Sequence, residues 1–241
     1  MQLHTVSALA LSALAAVSAT TEPTSAPVVD DLFPAASGAL EIVLDAEGNG
    51  PSYLELLSDY AQLTGQYVTY SEATRGLLAD TKVQLDRSMT VAAEGVQHTT
   101  EVLLDQANLN LAIASAAGPQ IIRIRDVETE GYELRSSARN LSVDGAEMAR
   151  KHPAMLFSMV IPMPNTDARL LSNSCRTMIT DMNTTLLLPA GDSSGMIIVG
   201  HGDWIHQTSQ WLLEVEEQSK MKAAREKQAA KEQEAREAAA K

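Results

Sequence analysis

Apolar positions recur along this chain at two spacings, every second residue and every third or fourth, and the switches between them mark its elements. LEIVLD at 40–45 alternates and predicts a strand, which EGNGP then breaks. Residues 52–64 predict a helix: Ser52 can cap it, Glu55 stands three residues on as in a capping box, and Gly65 ends it. Leu54, Leu57 and Ala61 make one stripe and Tyr53, Leu56, Tyr60 and Leu63 a second, so much of that helix should be covered. YVTY at 67–70 and TKVQLD at 81–86 read as short strands, with Val83 and Leu85 on one face of the second. Another helix is expected within 91–107, its apolar side carried by Val96, Thr100, Leu103 and Ala107. LNLAIAS (109–115) and QIIRIRD (120–126) predict a hairpin turning at Gly118-Pro119. In it Ile122 and Ile124 alternate with Arg123 and Arg125, as on a half-exposed sheet.

Residues 128–152 are polar, weakly patterned and read as a linker. AMLFSMVIPM (154–163) is then a long apolar strand that should end near Pro162, which cannot donate to a ladder. Asn165 or Thr166 is placed to cap a helix on which Ala168, Leu171, Cys175, Met178 and Met182 share one face. TTLLLP (184–189) reads as a strand, AGDSSG as a turn and MIIVG (196–200) as the returning strand. DWIHQTSQWLLEVEEQ (203–218) is a helix capped by Asp203, with Trp204 or Ile205, Thr208, Trp211, Leu212 and Val215 facing inward. The fold class is therefore α+β. Two small modules stand in tandem, over 38–127 and 153–218, each a small sheet packed with two helices. The second has the order βαββα, and a charged helical extension follows over 219–241. A lone module of this size buries a modest share of its surface and gains stability from neighbours.

Charge narrows the function. The formal net charge is −13, which argues against a nucleic-acid partner, since a duplex partner needs a basic patch to release counterions. From Glu214 onward there are seven acidic and seven basic residues, so the body carries all of that charge. The tail lacks apolar heptads after Met221 and reads as a solvated helix laced by i,i+4 pairs rather than a self-sufficient coiled coil. Residues 1–19 look like an export signal: the apolar run from 6 to 19 is too short to span a bilayer, and Val17-Ser18-Ala19 suits cleavage, although no Lys or Arg precedes it. Residues 20–37, rich in Pro, Thr, Ser and Ala, read as a flexible leader. The chain is expected to be exported. Cys175 is the single cysteine and, lying mid-face on its helix, reads as a small buried apolar side chain.

Two constellations could carry chemistry. Gly191-Asp192-Ser193-Ser194-Gly195 satisfies G-x-S-x-G, with His201 and His206 downstream, as in a serine hydrolase. A nucleophile elbow needs strand, turn and helix, whereas the pattern here is strand, turn, strand, so Gly and Ser read as hairpin chemistry. His201, Asp203 and His206 could ligate a metal, but Asp203 reads as a cap and no further His or Cys completes a zinc set. His98 and His152 read as isolated. Asn140-Leu-Ser142 and Asn183-Thr-Thr185 match the glycosylation pattern, a frequent chance match. An RNA-binding KH module would need a G-x-x-G loop between helices and a basic groove, which the sequence lacks. No catalytic residue, metal or cofactor is expected.

YLELLSDYAQLTGQYVTYSEATRG followed by TKVQLD, a helix and LDQANLNLAIASAAGPQIIRI resembles the N-terminal N0 domain of bacterial secretins, a fold shared with the short signalling domain of TonB-dependent receptors. MVIPMPNTDARLLSNSCRTMI and MIIVGHGDWIHQTSQWLLEVE resemble the secretin N1 module. The resemblance covers about 38–218. It implies domains that stack as periplasmic rings below an outer-membrane pore, pack sheet against helix between subunits, contact other envelope proteins and hold no catalytic site. The long pore domain of secretins has no counterpart here. The expectation is a non-catalytic accessory ring or adaptor of a type II secretion or type IV pilus complex. A TonB-type signalling module and a periplasmic hydrolase using Ser193 are the alternatives.

Overall fold

A computed structural model describes residues 32–115, 119–176, 179, 181–191 and 193–239. The expected signal peptide, residues 20–31 of the expected leader, Gly118, Met178 and Asp192 lie outside the described residues.

The first half is built on one helix, α1 (Tyr53–Thr64). Ser52 and Glu55 form the full capping box, and Gly65 closes the helix in the left-handed conformation. Tyr53, Leu56, Leu57 and Tyr60 of α1 are buried. They belong to the core that also holds Val96, Leu103 and Leu104 of α3 (Val96–Gln106). A ribbon of β1 (Leu40–Ile42) and β3 (Met89–Val91) adds Leu40 and Ile42. A three-stranded sheet, ordered β2 (Tyr67–Thr69), β5 (Ile121–Asp126), β4 (Leu109–Ser115), adds Leu109, Leu111, Ile122 and Ile124. β4 and β5 are antiparallel as the alternation implied, while β2 runs parallel to β5.

The sequence reading needs correction at four places here. Helix α2 (Glu72–Asp80) was not anticipated, because it buries only Thr74 and Leu78 and so shows little apolar pattern. TKVQLD is no strand. It contributes one isolated bridge, Lys82 to Ser52, and the buried Val83. β3 was not anticipated, although the helix expected within 91–107 is present at Val96–Gln106, after a single 3-10 turn. The leader also ends sooner than its composition suggested. Phe33 is buried with its ring centroid 5.1 Å from that of His152, and the Ser37 amide donates to the Leu63 carbonyl at 2.7 Å.

The stretch read as a linker, 128–152, is the largest correction. It holds α4 (Val127–Ser136), β6 (Arg139–Leu141) and α5 (Ala146–Arg150). α4 is capped by Asp126 and buries Val127 and Leu134 against Leu156. β6 is three residues long and pairs in parallel with β7 (Leu156–Pro162). Short edge strands and small buried alanines (Ala146, Ala149) carry no periodic signal, which is why these elements read as linker.

The second sheet has the order β6, β7, β9 (Gly195–His201), β8 (Leu186–Ala190). β7, β9 and β8 are antiparallel neighbours, as expected. Phe157, Met159, Ile161, Met196 and Ile198 are buried on one face, the side on which α7 (Gly202–Ala239) lies. α6 (Ala168–Cys175) packs along β8. It is capped by Asp167, while Asn165 and Thr166 instead hydrogen-bond Glu216 of α7. α6 ends at Cys175, so Met182 leaves the predicted stripe and is 77% exposed. Cys175 is buried, and burial raises its thiol pKa. α7 buries Ile205, Ser209 and Leu212 and then runs on exposed, for a total length of about 57 Å.

The start of α7 is wedged tightly. A Cβ at Gly202 would lie 2.0 Å from the Ala149 carbonyl oxygen and 2.5 Å from that of His152. Gly202→Ala should cost about 1–3 kcal/mol in urea unfolding. Gly76→Ala, in an exposed helix position with nothing within 4 Å, should instead stabilise by up to about 1 kcal/mol.

Candidate interaction site

The G-x-S-x-G stretch is a hairpin turn. Gly191 has φ 45° and Ser193 φ 74°, the Ser193 amide closes the turn on the Ala190 carbonyl at 2.9 Å, and β9 follows from Gly195. Ser193 and His201 bracket β9, about 20 Å apart at the rise of a strand. His201 therefore cannot take a proton from Ser193.

The histidines gather elsewhere, around residues 151–154 that join α5 to β7. His98 Nδ1 lies 3.2 Å from the Lys151 carbonyl oxygen. His201 Nδ1 lies 3.1 Å from the Pro153 carbonyl oxygen and 3.5 Å from Asp105 Oδ1. His152 Nδ1 meets Glu101 Oε1 at 2.8 Å, with Glu101 fully buried and His152 nearly so. The Ala154 carbonyl accepts both the Leu111 amide at 2.9 Å and Asn110 Nδ2 at 2.8 Å. His98 and His152, which read as isolated, thus help tie the first half to the second. His206 stands apart, its Nδ1 3.8 Å from Glu147 of α5, and Asp203 is exposed. Among the described residues no three His, Cys, Asp or Glu side chains form a group that could hold a metal.

Behind Glu101 a buried polar chain crosses the first half. Gln97 hydrogen-bonds Glu101, Tyr60 Oη contacts Gln97 and Gln66, and Gln66 reaches Gln120 beside the β4–β5 turn. Burial, reinforced by the Glu101 charge, holds the Tyr60 hydroxyl far above its usual range, so it stays a neutral donor. Sequence reasoning missed Glu101. The available signal was a carboxylate set between Val96, Leu103 and Leu104 on an otherwise covered helix.

The second sheet offers an uncovered surface. On the face away from α7, α4 shields the Leu156 end. Val160, Ile197 and Leu188 stand opposite one another across three strands nearer the hairpin turn, with Val160 52% and Leu188 46% exposed. The outer edge of β8 is guarded against strand addition. Ser172 Oγ donates to the Leu187 carbonyl at 3.1 Å, and Pro189 has no amide to offer. Docking here must use side chains on the face. Among the described residues no helix is long and apolar enough to cross a membrane.

This architecture has a known counterpart. It aligns with a chain of the Klebsiella pneumoniae type II secretion system outer membrane complex of PulD, PulS and the PulC HR domain. The alignment covers 71% of this chain at a TM-score of 0.54 and 13% identity. The fold is that of secretin N-terminal modules. This chain spans 26% of the length of the Klebsiella chain. The N-terminal domain of the secretin XcpQ from Pseudomonas aeruginosa aligns over 73% of this chain and 63% of its own, at 13% identity and a TM-score of 0.24. The enterotoxigenic Escherichia coli GspC–GspD complex aligns over 74% and 99%, at 9% identity and a TM-score of 0.27. Only the first alignment bears on the fold. No family model and no curated protein matches the sequence.

Buried and exposed charges should respond differently to substitution. Removing one member of a buried pair strands the other, so Glu101→Ala should cost about 3–5 kcal/mol in urea unfolding. Glu217→Ala, which breaks the exposed 3.3 Å pair with Lys220, should cost under about 1 kcal/mol. Burial raises the Asp105 carboxyl pKa; His201 opposes that shift and Asp203 adds to it. A raised acid favours the folded state below its unfolded pKa and loses that contribution as pH rises through the folded value. Relative to the parent protein, Asp105→Asn should therefore gain stability as pH rises out of the ordinary carboxylate range and through the raised Asp105 value, read as the difference between two urea midpoint profiles.

Proposed function

We propose that this chain is a non-catalytic, exported protein-interaction component of a type II secretion envelope complex, acting as an adaptor or accessory ring. The observation that carries the reading is the uncovered row Val160–Ile197–Leu188 on a sheet whose fold matches that secretion-complex chain. Exposed Val160 and Leu188, flanking the half-buried Ile197 across three strands, form a docking face rather than scattered surface residues. The occupant is an envelope protein of the secretion apparatus, with a second copy of this chain as the competing outcome. An export signal over 1–19 and a periplasmic location belong to the same proposal. The location of Ser193 in a hairpin turn, remote from His201, supports a role without catalysis.

The test is co-purification with the detergent-solubilised outer-membrane secretion complex, alongside sedimentation of the chain alone. Val160→Asp combined with Leu188→Asp should leave the urea midpoint nearly unchanged and abolish co-purification. A concentration-dependent oligomer lost in the same variant would assign the face to a second copy. A monomer that captures no component of that complex would overturn the proposal.

A further inference from the structure

A concave surface lies against the first sheet and reaches Met155 and Leu156 at the start of β7. It is a cleft of about 410 Å³ between the solvent side of β4–β5 and the α4–β6 segment. Arg123, Arg125 and Arg139 line it over a floor that includes Ala112 and Ala114. These are three of the eleven basic residues that precede the tail in a chain of net charge −13, and the lining contains no Asp or Glu. Arg125 is held at the back. Its side chain is 15% exposed, Nη1 lies 3.4 Å from Ser137 Oγ, and the buried Nε makes no hydrogen bond, with Glu130 Oε2 3.5 Å away. Arg123 and Arg139 are exposed and form no salt bridge among the described residues.

An acidic protein with three guanidinium groups in one concavity, two of them unmatched, has built a site for carboxylate or phosphate oxygens. The backbone beside them decides which. β4 is an edge strand, and its Leu111 amide already takes the Ala154 carbonyl on the outer side. Alternation along the strand turns the Ile113 amide the same way. Ala112, opposite Arg123 in the register, is small enough for the arginine to reach across β4 toward that edge. A nucleic acid could use the charges but not the strand edge, and the charge of the whole body repels it.

We propose that this cleft binds an extended acidic segment of a partner protein, laid along β4 beyond Leu111 with its carboxylates on Arg123 and Arg139. Backbone bonds to the edge supply affinity and the arginines supply selectivity, as in strand-addition recognition.

The probe is a fluorescein-labelled peptide of five Glu-Thr repeats, titrated into the full chain by anisotropy, with a Gln-Thr repeat as control. The acidic peptide should bind, weaken with added salt, and lose on the order of tenfold in affinity when Arg123→Gln and Arg139→Gln are combined. Binding should survive Val160→Asp with Leu188→Asp, which separates this site from the docking face. The Ile113 amide resonance should shift on binding. Equal binding of the Gln-Thr peptide, indifference to the arginine pair, displacement by inorganic phosphate at matched charge, or tighter binding of oligo-dT would each overturn the proposal.

Discussion

A carboxylate with no exposed surface must be answered by a neighbouring group, because an uncompensated buried charge costs several kcal/mol. Glu101 on α3 is in that position, and the group that answers it, His152, belongs to the segment that opens β7. The rest of the structure depends on this contact. It draws residues 151–154 against the first sheet, where Ala154 closes on Asn110 and Leu111 and His201 closes on Pro153. The Phe33 ring packs against His152 at the same place. Polar groups fix register as well as contact, so the two halves meet in one arrangement. Alternative pairings would leave Glu101 with Gln97 of its own helix as its partner.

That arrangement positions both proposed interaction surfaces. The docking row sits on the second sheet at the end far from the junction, near the β8–β9 turn. The arginine cleft lies where the first sheet meets α4 and β6, and exists only because the junction holds those elements beside β4. An extended chain could engage the cleft while a folded partner covers the row. The two surfaces offer different chemistry, apolar side chains on one and guanidinium groups on the other.

Much of this was legible in the sequence. The capping box at Ser52 and Glu55, the β4–β5 hairpin, β7 with its ending at Pro162, and the β8–β9 reversal through Gly191 and Ser193 all follow from local spacing and turn chemistry. These signals are local, and the structure keeps them. Tertiary signals were not legible. β6 is a strand only because β7 lies beside it, α4 because Leu134 meets Leu156, and α5 because two alanines fit under α7. His152 looked isolated because its partner is 51 residues away in sequence. The arginines of the cleft are spread from 123 to 139, and nothing in their spacing shows that they converge.

The junction can be tested at a single backbone group. The Leu111 amide belongs to an edge strand and would exchange with solvent quickly unless the Ala154 carbonyl of the other half holds it. Hydrogen–deuterium exchange resolved at that amide should show protection equal to that of Ile122 and Ile124 in the neighbouring strand. Rapid exchange at Leu111 while Ile122 and Ile124 stay protected would show two halves that separate freely, and would contradict the account.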